Sequence, residues 1–211
     1  MTTEQEAFWQ GTFGDEYTRR TASDAQAVAS HLALFSRALS HTHGIANVLE
    51  LGANVGHNLA AIAQLIPGVD MTAIEINATA VHELKRRLPQ VAVLRESIFD
   101  LEHRLWIGEN GFDLVFTHGV LIHLAPEKLP DVYRIMHEAS RKYILVSEYY
   151  SPQPTAIKYR GHEDKLFKRD FAGELLDSFP DLKLLAYGFG YHRDPNFPQD
   201  DTTWFLMEKK Q

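Results

Sequence analysis

The stretch "VLELGANVGHNLAAI", Val48 to Ile62, begins as a strand, turns on two glycines and continues as a helix. Val48, Leu49 and Leu51 form an apolar run broken only by Glu50, the pattern of a strand covered on both faces. Gly52 allows a tight turn. Gly56 is expected to let the backbone approach a ligand and to open the helix. The spacing is G-x-N-x-G, not the G-x-G-x-x-G of a dinucleotide site. Asn54 stands where a glycine would, and asparagine tolerates left-handed backbone better than most residues. In open α/β sheets a ligand lies beyond the carboxyl ends of the strands. The loop from Gly52 to Asn58 is therefore expected to meet one.

Strand and helix patterns alternate along the rest of the chain. "IANVLEL", "VDMTAIEI", "VAVLRE", "FDLVFTH" and "KYILVSEYY" read as five strands. Helical stretches separate most of them: "NLAAIAQLI", "ATAVHELKRRL" after the cap Asn77, and "PEKLPDVYRIMHEAS", whose Pro130 sits near the first turn where proline is tolerated. A long polar segment, 151–169, precedes the short helix "DFAGELLDSF" and two more strands, "LKLLAYGFGYH" and "TTWFLMEKK". Repeated β-α units imply a parallel sheet with helices on both faces. Only "RDPNFPQDD" joins the last two strands, too little for a helical crossover, so they should pair antiparallel. Ahead of all this, residues 1–44 hold an aromatic lead-in and a helix opened by Ser23 with Gln26 as a capping box. They are expected to form a lid and helix, and 45–211 the binding domain.

The chain has 211 residues, 45 % of them hydrophobic and 23 % charged, which is globular composition. It has no cysteine, so disulfides and thiolate metal sites are excluded. A net charge of −7 gives no basic face for nucleic acid. No stretch reaches the apolar length of a membrane span, and "MTTEQEAFWQ" lacks a signal core. The expected protein is cytoplasmic, takes a small-molecule substrate, and is free to form a homodimer. His192, Arg193, Asp200 and Asp201 cluster in "YHRDPNFPQDD", but their spacing suits no metal, and none is expected.

A doubly wound, seven-stranded, mostly parallel sheet whose last strand is reversed resembles the Rossmann-like class I methyltransferase fold. Two acids fit that resemblance. Glu75 ends the second strand, where a carboxylate can accept both ribose hydroxyls. Glu50 precedes the first glycine, where it would repel a pyrophosphate but accept from an ammonium group. One acid at each of the first two strand ends suits a cationic nucleoside, S-adenosylmethionine. The resemblance extends the expected binding set to Ile76 beside Glu75, to Ser97 and Ile98 along the adenine, and to His118 and Gly119 after the fourth strand. His123, one turn beyond, is a candidate base.

Longer segments are similar to one narrower family, the pseudaminic acid biosynthesis-associated methylases. They are "FWQGTFGDEYTRR", "LELGANVGHNL", "HGVLIHLAPEKLPDVY", "SEYYSP", "YRGHEDKLFKRDFAGELLD" and "YGFGYHRDPNFPQDDTTWFLMEK". That resemblance implies transfer of a methyl group to a small, carboxylated acceptor such as a sugar acid or its nucleotide form. Two alternatives share the same glycine loop. One is cyclisation of S-adenosylmethionine to azetidine-2-carboxylic acid and methylthioadenosine. The other is a binding scaffold without catalysis.

Methyl transfer is an in-line displacement, so the enzyme chiefly aligns two reactants. A protonated nucleophile also needs a base, usually histidine near neutral pH. The segment 149–169 follows the fifth strand and is too long for a plain connection. It supplies Tyr150 and His162 as catalytic candidates, and Tyr149, Lys158, Tyr159 and Arg160 as substrate contacts, with arginine offering a fork for a carboxylate. In the N-terminal arm, Tyr17 and Arg20 are candidates to close over the cofactor.

Overall fold

A computed structural model describes residues 2–21, 25–103 and 111–210. Seven strands form one sheet: β1 (Asn47–Leu51), β2 (Asp70–Ile74), β3 (Ala92–Leu94), β4 (Phe112–His118), β5 (Ser140–Glu148), β8 (Leu182–Phe189) and β9 (Thr203–Lys209). Their order is β3-β2-β1-β4-β5-β9-β8. The first five run parallel, and β9 runs antiparallel to both β5 and β8. The chain order reverses between β1 and β4, which opens the crevice that ligands use in such sheets.

Successive side chains in a strand point to opposite faces, so a strand covered on both sides must be apolar throughout. Leu49, Leu51 and Val115 pack with α6 (Leu129–Ala139) and α7 (Phe171–Ser178). Val48, Leu114 and Phe116 pack on the other face with α3 (Ala25–Leu39), α4 (His57–Leu65) and Leu84 of α5 (Ala78–Arg87). Helices on both faces are thus what the apolar strands require. No helix among the described residues is long and apolar enough to cross a membrane.

Two local features depart from the sequence pattern. The polar segment 151–169 contains a separate hairpin, β6 (Thr155–Tyr159) with β7 (His162–Lys168). Its outer strand is almost wholly exposed, so it lacks the apolar alternation that marks a half-buried strand. The lead-in folds as two helices, α1 (Glu4–Gln10) and α2 (Thr12–Thr21). A capping box closes α1, with Thr3 and Glu6 bonding each other's backbone. The Ser23 box expected before α3 lies outside the described residues.

Candidate active site

A cavity of about 430 Å³ opens at the carboxyl ends of β1, β2, β4 and β5. Gly52, Asn54 and Gly56 all adopt left-handed backbone, with φ of 76°, 45° and 80°. Gly52 and Asn54 line the cavity and Gly56 does not. A side chain on Gly56 would press on Leu84 and Leu88, at 3.1 and 3.0 Å. It turns the chain and seats α4 against Leu84 of α5. A side chain on Gly52 would strike Val120, 2.7 Å away, so this glycine keeps the β1 and β4 loops in contact.

Glu75 is buried and holds the loop together. Its two carboxylate oxygens accept backbone N–H groups from Asn54 and Asn77, both at 2.7 Å. Each oxygen keeps further acceptor capacity for a ligand donor. Burial pushes the Glu75 carboxyl above the usual carboxylate range, and the backbone amides oppose that shift.

Glu50 lies beneath the cavity and not on its wall. It accepts from the Asn58 amide at 2.6 Å, and its second oxygen has no partner among the described residues. Burial raises its pKa to about 8, against the Asn58 bond and with help from the nearby Glu75 charge. An acid whose folded pKa lies above its unfolded value stabilises the fold at low pH and loses that contribution as pH rises through the folded value. The ligand-free protein should therefore lose melting temperature between about pH 5 and pH 8. Glu50→Gln should flatten that slope. Equal slopes for the two proteins in a pH-melting series would show that Glu50 is ionised throughout.

Glu148 anchors the turn after β4. Its carboxylate accepts from the N–H groups of Val120 and Leu121, at 3.1 and 3.2 Å. That fixes the segment carrying His118 and His123, both of which line the cavity. The His118 ring stands edge-on to His31 of α3, with centroids 4.8 Å apart. Burial lowers both pKa values, that of His118 to about 4. His123 is oriented more tightly. Its Nδ1 lies 2.7 Å from the Lys165 carbonyl, which can only accept, so Nδ1 carries the proton and Nε2 the lone pair. Trp9 and Tyr159 flank its ring at 4.7 and 4.9 Å. Burial brings its pKa down to about 4, so it is neutral at physiological pH.

The helices α1 and α2 lie over the opening. Glu6, Trp9, Tyr17, Thr18 and Thr21 all face into the cavity. Polar bonds tie them to its rim. Ser97 donates to Glu6, and Asn77 donates to the Trp9 carbonyl and to Asp15, both at 3.1 Å. Thr79 donates to Asp15 at 2.7 Å. Lys165, itself buried, pairs with Glu4. Gly14 makes the close packing feasible, because a Cβ there would sit 1.9 Å from the Trp9 carbonyl oxygen.

Most residues singled out from the sequence converge here. Tyr17, Asn58, Ile76, Ser97, Ile98, Gly119, Tyr149, Tyr159 and Arg160 line the same cavity as Glu75, His118 and His123. Tyr150, His162, Lys158 and Arg20 do not, as Gly56 and Glu50 do not. Tyr150 follows Tyr149 in extended chain and so points away, to an exposed position beside Phe205. His162 packs edge-on against Phe8 and Phe13. Lys158 pairs with Glu163 at the surface, and Arg20 rests over the Tyr17 ring. Sequence reading missed Glu6, Trp9, His31 and Glu148. Only the aromatic density of the lead-in hinted at the first two. Among the described residues no three His, Asp or Glu side chains gather into a metal-binding group.

Residues 49–142 match the family model described as a methyltransferase domain. No curated protein matches the chain. Solved structures do match in fold. The 1,6-didemethyltoxoflavin-N1-methyltransferase of Burkholderia thailandensis, solved with 1,6-didemethyltoxoflavin and S-adenosylhomocysteine, aligns over 100 % of this chain and 91 % of its own, with 18 % identity and a TM-score of 0.74. The magnesium protoporphyrin IX methyltransferase of Synechocystis PCC 6803, solved with S-adenosylhomocysteine, aligns over 98 % of this chain and 100 % of its own, with 14 % identity and a TM-score of 0.69. The chain thus has the Rossmann-like fold of these methyltransferases, and its residues 49–142 are similar to a methyltransferase domain.

Proposed function

We propose that the protein is an S-adenosylmethionine-dependent methyltransferase acting on a small, carboxylated acceptor. A sugar acid, as the resemblance to the pseudaminic acid-associated methylases implies, is one such acceptor. The observation that carries this reading is a single cavity joining two chemistries. At one end Glu75 and the Asn54 loop suit an adenosyl group. At the other, Tyr149, Tyr159, Arg160 and His123 surround space for an acceptor. When bound, the donor supplies an activated methyl group on a positive sulfur. Ser97 and Ile98 would border the adenine, and Glu75 would accept from the ribose. His118 and Gly119 would face the sulfur, and α1 and α2 would serve as a lid that excludes water.

The chain's own share of the chemistry is orientation and one proton. Arg160 holds the acceptor carboxylate as a fork. His123 Nε2 accepts the proton of the attacking hydroxyl while Nδ1–H stays bonded to the Lys165 carbonyl. A base of this kind contributes about 10²- to 10⁴-fold. His123→Ala should lower turnover by about that factor, with affinity for S-adenosylhomocysteine changed only a few fold. Because a base acts unprotonated, the wild-type rate should hold from neutral pH down to about pH 5 and fall toward pH 4. A variant that turns over at the wild-type rate would remove His123 from the mechanism.

The size of the cavity favours a second reading. Its 430 Å³ lies near the lower end of the roughly 300–1,000 Å³ usual for ligand pockets. A donor filling most of that space leaves little for an external acceptor, as intramolecular cyclisation would require. Incubation with S-adenosylmethionine alone, followed by mass spectrometry, separates the two. Methyl transfer predicts an unchanged donor, and cyclisation predicts methylthioadenosine.

A further inference from the structure

Arg160 and Asp200 face the same cavity from separate loops, and methyl transfer to a simple carboxylate uses only the arginine. Arg160 stands at the tip of the β6–β7 hairpin, and Asp200 in the loop between β8 and β9. Among the described residues neither forms an ion pair, and Asp200 has no hydrogen bond. The Arg160 guanidinium lies 5.6 Å from the Tyr159 ring centroid.

Both loops hold their backbone against local preference. Tyr159 pairs with His162, so Arg160 and Gly161 form a two-residue turn with φ of 48° and 90°. Such a turn favours asparagine or glycine first, and arginine there is strained. Strain of this kind persists where surrounding structure or function demands the side chain. Next to Asp200, Asp201 is also left-handed, with φ of 54°. His192 pins it through its backbone N–H at 3.0 Å and its ring Nδ1 at 2.8 Å. Gln199, on the other side, donates to the Ser30 carbonyl of α3. Asp200 is thus presented from a fixed loop.

We propose that this end of the cavity binds an α-amino acid head group, with Arg160 taking the carboxylate and Asp200 the ammonium. The assignment rests on the adenosyl reading above and narrows it. A lone anion would be repelled by Asp200 and a lone cation by Arg160, whereas a zwitterion satisfies both. Tyr17, Tyr149 and Tyr159 line the same cavity, and a tyrosine hydroxyl can donate or accept. The charge of Asp200 reaches them, since it helps hold Tyr17 and Tyr149 protonated and strengthens the protonation of Arg160. The ligand that carries this chemistry is a separate amino acid acceptor, in keeping with the acceptor carboxylate given to Arg160 above.

The test uses the full chain, with Arg160→Gln and Asp200→Asn, two changes at exposed positions. Calorimetry compares S-adenosylhomocysteine with 5′-methylthioadenosine, which lacks the amino acid. An acceptor site should leave both nucleosides bound as in wild type; a loss of about tenfold or more in affinity for the first alone would place the donor's own head group there and overturn the assignment. Thermal shift with saturating S-adenosylhomocysteine should then show stabilisation by at least one of the common amino acids and not by its N-acetyl form, lost in Asp200→Asn. Wild-type behaviour of both variants in both assays would overturn the assignment. Failure of the wild-type protein to bind either nucleoside would instead overturn the adenosyl reading.

Discussion

Glu75→Ala is expected to lower affinity for S-adenosylhomocysteine by at least about a hundredfold. Two backbone N–H groups, of Asn54 and Asn77, lose their acceptor at once. Hydrogen bonds to a charged group are worth roughly 1.5–3 kcal/mol each, and the bound ribose would lose its acceptor as well. The left-handed backbone at Asn54 would also lose the bond that holds it. Glu75→Gln keeps one acceptor oxygen and should fall between wild type and alanine. Calorimetry and thermal unfolding on all three proteins check this. Unchanged affinity in a folded Glu75→Ala protein would mean that the ribose lies elsewhere.

Gly14→Val should open the cavity without unfolding the sheet. Its Cβ would overlap the Trp9 carbonyl at 1.9 Å and crowd the Asn77 amide at 2.8 Å. One is backbone and the other is held on both sides, so α1 has to move. Moving it breaks the Asn77 bonds to Trp9 and Asp15 and exposes the Trp9 ring. The two main packing clusters contain no residue of α1 or α2, so global stability should change little. Expected together are a red-shifted tryptophan emission, a near-wild-type melting temperature and a loss of adenosyl-ligand affinity of tenfold or more. Full affinity with a displaced α1 would show that the helix is no lid.

The strand and helix order was legible in the sequence because burial on both faces forces apolar runs, and those runs do not depend on distant partners. Glycines at positions 52 and 56 were legible too, since only a few residues tolerate left-handed backbone. Their reasons were not. Gly56 answers to Leu84 and Leu88, thirty residues away in the chain and invisible to any local pattern. The same holds for Glu148, whose position at the end of β5 gave no sign that it would anchor the β4 turn. Tyr149 and Tyr150 look equivalent as letters, yet just past the end of β5 one lines the cavity and the other is exposed at the surface. His123 and His162 were equal candidates until packing gave one a fixed tautomer and left the other among aromatic rings. Residue order thus determined the sheet and the glycine turns, whose physics is local. Which side chains share the cavity depended on contacts between distant segments, and those only the folded chain supplies.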